Sequence, residues 1–164
     1  MGLEQRRIVV IVSGGIAAYK SADLVSRLRK AGAEVRVVMT DAASKFVAPL
    51  TFEALSGHPV YERVFDQPVA WEMEHISWAR WAEGIVAAPA TANLIAKLAV
   101  GLADDAASTL VLAYQGPLWV APAMNTAMWV HPATQQNIET LRHRGVHIIT
   151  PDAGPLACGE TGPG

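Results

Sequence analysis

The feature that most constrains the fold is the alternation of short β-branched runs with longer segments of helical character. Residues 7–12 read RIVVIV, residues 34–39 read EVRVVM and residues 84–88 read GIVAA. All three are predicted strands, and the continuous apolar character of the first and third is typical of strands buried on both faces of a parallel sheet. Because the intervening segments are long enough for crossovers, the pattern predicts an α/β fold with helices on both faces of the sheet.

The remaining elements follow from the same alternation. Two more strands are predicted at 117–121 and 146–150, and helices at 16–30, 74–82, 91–100, 104–113 and 132–144. A helical region at 41–56 is predicted to be interrupted by Pro49, and the segment 60–71 and the tail from residue 151 have no period of their own. The apolar side chains of helix 16–30 fall near one face, and they are Ile16, Tyr19, Leu24 and Leu28.

Composition excludes several classes of protein. The 164 residues fit one domain, and 51% hydrophobic with 17% charged residues is typical of a globular chain. A net charge of -2 without a long basic run gives no reason to expect a nucleic-acid partner. The longest apolar stretch, 85–100, is interrupted by Pro89, Asn93 and Lys97, so no membrane span is expected. One cysteine and the lack of a signal-peptide pattern suit the reducing cytoplasm.

Five tryptophans and a mean hydropathy of +0.23 indicate much apolar surface for one small domain. Four of the tryptophans, Trp71, Trp78, Trp81 and Trp129, lie in apolar or mixed segments. They could form subunit contacts or fill the core, and the sequence favours neither interpretation.

Four loops are expected to meet at one edge of the sheet. They follow the first four strands, and they are Ser13-Gly14-Gly15, Thr40-Asp41, PATAN at 89–93 and PAMN at 122–125. In open parallel sheets, ligands bind at the carboxyl ends of the strands. The sequence therefore predicts one ligand site on this rim.

The first and third loops each allow two interpretations. In SGGIAAYK, which starts at Ser13, two glycines and a hydroxyl at a helix N-terminus suit a phosphate, and a tight turn without a ligand is the alternative. This loop matches neither the G-x-G-x-x-G fingerprint nor a Walker loop. In PATAN, Thr91 and Asn93 offer donors and acceptors to a ligand, whereas Thr91 could instead cap the next helix. The two interpretations of PATAN are compatible.

Three side chains are candidates for chemistry. Asn125 could orient a carboxylate or carbonyl, or it could simply form a turn. His75, in EMEHIS, is a candidate acid–base group, and the alternative is a structural or exposed histidine. Cys158, in PLACGETGPG, is either a thiol acid on a flap or a small buried hydrophobe.

Other polar residues are not expected to form a catalytic or metal site. Asp104-Asp105 is predicted to cap the following helix, since it has no carboxylate partner at a catalytic spacing. The remaining histidines, which are His58, His131, His143 and His147, show no metal-ligand spacing. We therefore predict no metal site.

Taken together, the loops carry a resemblance to a known family. Seven segments occur in one order over nearly the whole chain: SGGIAAYK, MTDAASKFV, HIS, APATANLIAKLAVGLADD, APAMNTAMW, HPATQQN and LACGETG. The sequence resembles the homo-oligomeric flavin-containing cysteine decarboxylases, and it looks most like their phosphopantothenoylcysteine decarboxylase branch in bacterial coenzyme A synthesis. Each segment is unspecific alone, and the ordered set is specific.

The resemblance implies a flavodoxin-like fold that binds FMN where the subunits of a trimer meet, with trimers assembling into dodecamers. It implies His75 as the essential histidine, Asn125 as the ligand of the substrate carboxylate and Cys158 as a proton donor. Ala157 and Gly159 would contact the substrate together with Asn125. The residues implied to bind FMN are Ser13, Gly14, Gly15, Ile16, Thr40, Pro89, Ala90, Thr91, Ala92, Asn93 and Ala123.

The implied activity is FMN-dependent decarboxylation of 4'-phosphopantothenoyl-L-cysteine to 4'-phosphopantetheine. FMN would oxidise the CH2–SH group to a thioaldehyde, so that the carboxylate lies β to C=S and leaves as CO2. Reduced FMN would return the hydride, and Cys158 would supply a proton. The resemblance also predicts one decarboxylase domain over residues 1–164 that ends within the flap motif, with a fused synthetase domain in the full-length protein that is absent from this chain.

Three alternatives share the fold. Peptidyl-cysteine decarboxylases stop at the enethiol and need no reductive proton donor, so Cys158 favours the coenzyme A branch. Flavin prenyltransferases depart at the HIS and PAMN positions, and His75 with Asn125 argues against them. A non-catalytic regulatory subunit usually lacks one catalytic residue, whereas all three are present in this sequence.

Overall fold

The computed structural model describes residues 2–62, 74–155, 157, 159 and 161–163. Its main sheet consists of β1 (Arg7–Val12), β2 (Glu34–Met39), β3 (Gly84–Ala90), β4 (Leu118–Pro122) and β5 (His147–Ile148). The strand order is β2-β1-β3-β4-β5, and every neighbouring pair is parallel. The predicted α/β fold is therefore confirmed, and this strand order is that of flavodoxin-like proteins.

Helices cover both faces of the sheet. The described helices are α1 (Ala18–Lys30), α2 (Pro49–Ser56), α3 (Glu74–Trp81), α4 (Ala92–Val100), α5 (Ala106–Ala113), α6 (Thr126–Val130) and α7 (Pro132–His143). On one face, α1 and α2 contribute Val25 and Phe52 to a buried cluster. On the other, α4, α5 and α7 contribute Leu94, Leu110 and Ile138 to a larger one. None of these described helices is long and apolar enough to cross a membrane.

Strand β1 is buried on both of its faces. Val10 and Val12 join the cluster under α1 and α2, while Val9 and Ile11 join the other cluster, and all four are 0% exposed. Alternate side chains of a strand point to opposite faces, so a strand covered on both sides must be apolar throughout. The run RIVVIV is explained by this central position.

The predicted apolar face of the first helix is confirmed for Leu24 and Leu28, which pack against the buried cluster, and is wrong for Ile16 and Tyr19. Ile16 and Tyr19 are 60% and 61% exposed, and α1 begins two residues later than expected, at Ala18. The helix instead turns the small residues Ala18 and Ser21 to the sheet, and the Ser21 hydroxyl donates to the Ala88 carbonyl at 2.7 Å. The small side chains allow the start of α1 to approach the sheet closely, and Ile16 and Tyr19 remain exposed on its other side.

Two predicted element bounds also differ. The region 41–56 is a 3-10 turn at Ala43–Lys45 followed by α2, which begins at Pro49. Proline starts a helix well, because the first amides of a helix have no intrahelical acceptor. The predicted strand 146–150 is only His147–Ile148.

Two short elements were missed. The structure contains α6 and, in the tail, a hairpin formed by β6 (Ala153–Pro155) and β7 (Thr161–Pro163), which pair antiparallel. In the sequence, the tail showed no period of its own, and no strand was predicted there. Elements of three to five residues are too short to show a hydrophobic period.

Three of the tryptophans help to fill the core. Trp78, Trp81 and Trp129 are partly buried against the cluster under α4, α5 and α7. Trp71 lies outside the described residues. For these three side chains, packing within the subunit accounts for part of the apolar surface that the composition indicated.

Candidate functional site

The carboxyl ends of β1 to β4 form one rim, because these strands are parallel neighbours. Backbone hydrogen bonds connect the loops. The Ser13 N–H donates to the Pro89 carbonyl at 3.3 Å, the Thr40 N–H donates to the Val12 carbonyl at 3.1 Å, and the Ala123 N–H donates to the last residue of β3 at 3.0 Å. The predicted convergence of the four loops is confirmed.

A cavity of about 560 Å³ opens on this rim. Six residues predicted to bind the cofactor line it, and they are Ser13, Gly14, Thr40, Thr91, Ala92 and Asn93. Seven more lining residues are Asp41, Ala42, Leu94, Lys97, Asp104, Asp105 and Met128. The rest of the predicted set lies in the same loops without lining the cavity, and it comprises Gly15, Ile16, Pro89, Ala90 and Ala123.

The Ser13 hydroxyl connects the first and third loops. Ser13 is 1% exposed. Its Oγ donates to the Pro89 carbonyl at 2.6 Å and accepts from the Thr91 N–H at 3.0 Å. The structure therefore shows this hydroxyl positioning the two loops, and its direct contact with a phosphate stays a prediction.

Gly14 occupies a place where a side chain does not fit. A Cβ on Gly14 would lie 2.7 Å from the carbonyl carbon of Ala42, which belongs to the loop after β2. At Gly15, by contrast, the nearest atom would be Thr91 Cγ2 at 3.5 Å, an ordinary contact. The first loop thus presents bare backbone to the cavity, close to the start of α1, and this arrangement fits a phosphate-bearing cofactor.

The start of α4 supplies a second set of backbone donors. Thr91 is its N-cap, and the Leu94 N–H donates to Thr91 Oγ1 at 3.2 Å. The prediction that Thr91 caps this helix is confirmed. The amides of Ala92 and Asn93 have no acceptor within the helix, since they belong to its first turn. Both residues line the cavity, so a ligand role for this loop is compatible with the cap.

An ion-pair cluster at the cavity was missed by the sequence analysis. Lys97 Nζ lies 2.7 Å from Asp104 Oδ1 and 2.7 Å from Asp105 Oδ2. Burial lowers the pKa of Lys97, but the hydrogen bonds to the two aspartates outweigh it and hold the pKa above its ordinary value. The signal in the sequence was the spacing of Asn93 and Lys97, which are four residues apart on one face of a helix.

Asp105 also caps α5. Its Oδ1 accepts from the Ser108 N–H at 2.7 Å, and its own N–H donates to Ser108 Oγ at 3.2 Å. Burial raises the pKa of Asp105, but the bonds from Lys97 and Ser108 outweigh it and hold the pKa below its ordinary value. The predicted capping role is confirmed for Asp105, whereas Asp104 pairs with Lys97.

Asn125 is held in place at the fourth loop. It is the N-cap of α6, and its Oδ1 accepts from the Ala127 N–H at 2.8 Å. The tail hairpin packs beside this helix: Gly162 approaches Thr126 so closely that an added Cβ would lie 2.5 Å from Thr126 Oγ1. The hairpin therefore lies close to the candidate carboxylate ligand.

The predicted substrate residues of the tail fall between the two strands of the hairpin. Ala157 and Gly159 are exposed, and Gly159 has a φ of +85°. Cys158, the predicted proton donor, lies outside the described residues.

His75 stands in the first turn of α3 and is half-buried. The Trp81 ring lies 4.1 Å from the guanidinium of Arg36, which is in the middle of β2. One turn earlier, the Trp78 ring lies 5.4 Å from the ring of Tyr61, whose backbone bridges to β2 further along the strand. The N-terminus of α3 therefore points toward the rim, and His75 lies on that side without lining the cavity.

Comparisons with known proteins add an independent result. The Flavoprotein family profile matches residues 2–164. The chain is 52% identical over 162 residues to the coenzyme A biosynthesis bifunctional protein CoaBC of Vibrio vulnificus. This alignment covers 99% of this chain and 40% of that protein. It is 50% identical over 164 residues to the protein of the same name from Escherichia coli, again 40% of that protein. The chain thus spans about 40% of the length of these curated relatives.

Solved structures agree with the sequence relatives. The FMN-dependent cysteine decarboxylase SpaF superposes with a TM-score of 0.89 at 35% identity, over 99% of this chain and 91% of that one. A cysteine-to-serine variant of a PPC decarboxylase, complexed with pantothenoylaminoethenethiol, superposes with a TM-score of 0.86 at 32% identity, over 98% and 90% of the two chains. Since the family profile spans almost every residue and relatives of known structure share this fold from end to end, the chain belongs to the Flavoprotein family.

Proposed function

We propose that this chain binds FMN and decarboxylates 4'-phosphopantothenoyl-L-cysteine to 4'-phosphopantetheine. The observation that carries the proposal is the match of all 164 residues, at 50% identity, to a bifunctional protein of coenzyme A biosynthesis. The likeness to a PPC decarboxylase structure supports the same substrate. In the full-length protein, the partner of this domain would be a fused synthetase domain.

The cavity on the rim would hold the cofactor. The bare backbone at Gly14 and Gly15 and the first amides of α4, at Ala92 and Asn93, would donate to its phosphate and polar atoms. Thr40, which also lines the cavity, would complete the site. When bound, FMN supplies the oxidation of the substrate thiol and the later return of a hydride.

Asn125 would orient the substrate carboxylate. Because its Oδ1 accepts from the Ala127 N–H, the side chain can meet a carboxylate only through its Nδ2 donors. A neutral amide stabilises a carboxylate less than a cation does. It therefore orients the group without strongly opposing its departure as CO2.

His75 and Cys158 would handle the protons. A ring nitrogen of His75 would accept the thiol proton of the substrate, as a general base. Cys158 would return a proton to the product, with Ala157 and Gly159 beside the substrate. The position of the tail hairpin against α6 supports this arrangement, since Asn125 begins that helix.

We also propose a homo-oligomer, namely a trimer and its dodecamer. Four large apolar side chains that follow the first and second rim loops along the chain are strongly exposed: Ile16 at 60%, Tyr19 at 61%, Phe46 at 51% and Leu50 at 72%. A cluster of exposed apolar side chains favours a protein interface. Light scattering of the FMN-loaded protein is expected to give a multimer, and a monomer that retains FMN would contradict a shared site.

A peptidyl-cysteine decarboxylase is the second candidate, because the FMN-dependent cysteine decarboxylase SpaF shares this fold at a TM-score of 0.89 and the substrate of this chain could likewise be another cysteine compound. The FMN-loaded chain should be incubated separately with phosphopantothenoylcysteine and with a peptide that ends in cysteine. In a third incubation, the chain with reduced FMN receives dimethylallyl phosphate. Mass spectrometry is expected to show CO2 loss from the first substrate alone, and no reaction of its serine analogue. Decarboxylation of the peptide alone would select the second candidate, and a prenylated flavin would overturn both.

A further inference from the structure

The charge of the cavity does not suit an anionic cofactor. The described residues that line it include three carboxylates, Asp41, Asp104 and Asp105, and one ammonium group, Lys97. Their formal charges sum to 1 − 3 = −2. A phosphate monoester carries about −1.5 to −2 charges at pH 7. Without Lys97, the formal charge of these lining side chains would be −3.

Lys97 is committed to two of these carboxylates. Its Nζ lies 2.7 Å from both Asp104 Oδ1 and Asp105 Oδ2, and its side chain is 16% exposed. Asp105 is fixed in turn by Ser108, since it caps α5. The ammonium group is therefore ion-paired with the two aspartates. The backbone amides of the first loop and of the start of α4 remain the direct donors to a phosphate.

The ion-pair cluster is near enough to act on a phosphate at the rim. Five residues of α4 separate Ala92 from Lys97, which corresponds to about 7.5 Å of helix rise. Charges at this distance interact measurably in a cleft that is open to water, and salt weakens the interaction. The net charge of the cluster is thus expected to affect a phosphorylated ligand more than a neutral one.

We propose that Lys97 favours binding of a phosphorylated flavin by offsetting one of the two negative charges of the Asp104–Asp105 pair. This inference rests on the proposed function, because it assumes FMN as the ligand. Lys97 acts through the field of the cavity, and it is therefore a positioning and specificity residue without direct contact to the reacting atoms. A purely structural role would affect FMN and riboflavin equally, since riboflavin differs from FMN only by lacking the phosphate.

The test is a titration of the apo-protein with FMN and with riboflavin. Lys97→Met is expected to weaken FMN binding about tenfold and riboflavin binding less than about twofold, with the difference shrinking at high salt. Asp104→Asn is expected to tighten FMN binding several-fold, since it removes one negative charge at a side chain that is 49% exposed. Lys97→Arg serves as the matched control with an unchanged charge.

The double variant Lys97→Met with Asp104→Asn separates charge from structure. It removes the ion pair from Lys97 to Asp104 but restores the formal charge of the lining to −2, so FMN affinity is expected to return to within about threefold of wild type. Equal losses for the two flavins, no recovery in the double variant, or no gain with Asp104→Asn would overturn the inference. Wild-type protein that fails to bind FMN would instead refute the proposed cofactor.

Discussion

Replacing Ser13 with alanine tests how the rim is held together. The substitution removes the hydroxyl that donates to the Pro89 carbonyl at 2.6 Å and accepts from the Thr91 N–H at 3.0 Å. The Pro89 carbonyl keeps a bond from the Ser13 N–H at 3.3 Å, so only the Thr91 amide loses its acceptor. One lost hydrogen bond contributes about 1 kcal/mol, and a buried amide without an acceptor costs about 1 to 3 kcal/mol more. We expect Ser13→Ala to lower the free energy of unfolding by about 2 to 4 kcal/mol.

Urea unfolding of the apo-protein measures this loss, and FMN titration of the same variant should show weaker binding because the two loops are then joined only by the backbone bond from Ser13 to Pro89. Ser44→Ala is the matched control. Its hydroxyl also donates to a backbone carbonyl, that of Asp41 at 2.8 Å, but at an exposed position, so its loss is expected to cost less than about 0.5 kcal/mol. If Ser13→Ala and Ser44→Ala destabilise the protein equally, the reasoning about the buried hydroxyl is refuted.

Three further predictions concern the rim and its ion pairs. Asn125→Asp keeps the acceptor that caps α6 but replaces the Nδ2 donor with a negative charge. The value of kcat/KM, measured by steady-state CO2 release, is therefore expected to fall at least about 100-fold, while FMN affinity changes less than about twofold. A decrease of kcat/KM by less than about tenfold would contradict the role of the amide. Gly14→Ala is expected to weaken FMN binding at least about tenfold, because its Cβ would lie 2.7 Å from the Ala42 carbonyl carbon, whereas Gly15→Ala should stay within about threefold by the same titration. The pKa of Asp105 is lowered in the folded protein, so its stabilising contribution is present above its unfolded pKa, about 4, and is lost as pH falls through the folded pKa. The difference in unfolding free energy between wild type and Asp105→Asn should therefore shrink as pH falls from 6 toward 3, and a constant difference would count against this linkage.

The sheet and its rim could be predicted from the sequence because their signals are local. The runs at β1 and β2 are rich in β-branched residues, and their bounds, Arg7–Val12 and Glu34–Met39, are those expected. Parallel connection then forces the following loops to one edge. The strand order itself was implied by the resemblance, since periodicity alone does not determine which strands are neighbours.

Other features depend on tertiary contacts that no local pattern encodes. The direction of the Ser13 hydroxyl depends on a carbonyl and an amide more than seventy residues away along the chain. The pairing of Lys97 with Asp105 joins two helices, and the sequence analysis recognised only the cap. The exposure of Ile16 and Tyr19 reflects the small residues by which the start of α1 approaches the sheet, whereas Leu24 and Leu28 pack against the core as predicted.

The central claim is tested most directly by anaerobic mass spectrometry of the FMN-loaded chain with 4'-phosphopantothenoyl-L-cysteine. Wild-type protein is expected to convert the substrate to CO2 and 4'-phosphopantetheine. A Cys158→Ser variant, prepared in parallel, is expected to release at most about one CO2 per bound FMN and to form the same amount of the unsaturated enethiol, because without the proton donor the reduced flavin does not return its hydride. Full conversion by both proteins would remove Cys158 from the mechanism and leave the activity in place. Unchanged substrate after incubation with FMN-loaded wild-type protein would contradict the proposed function itself.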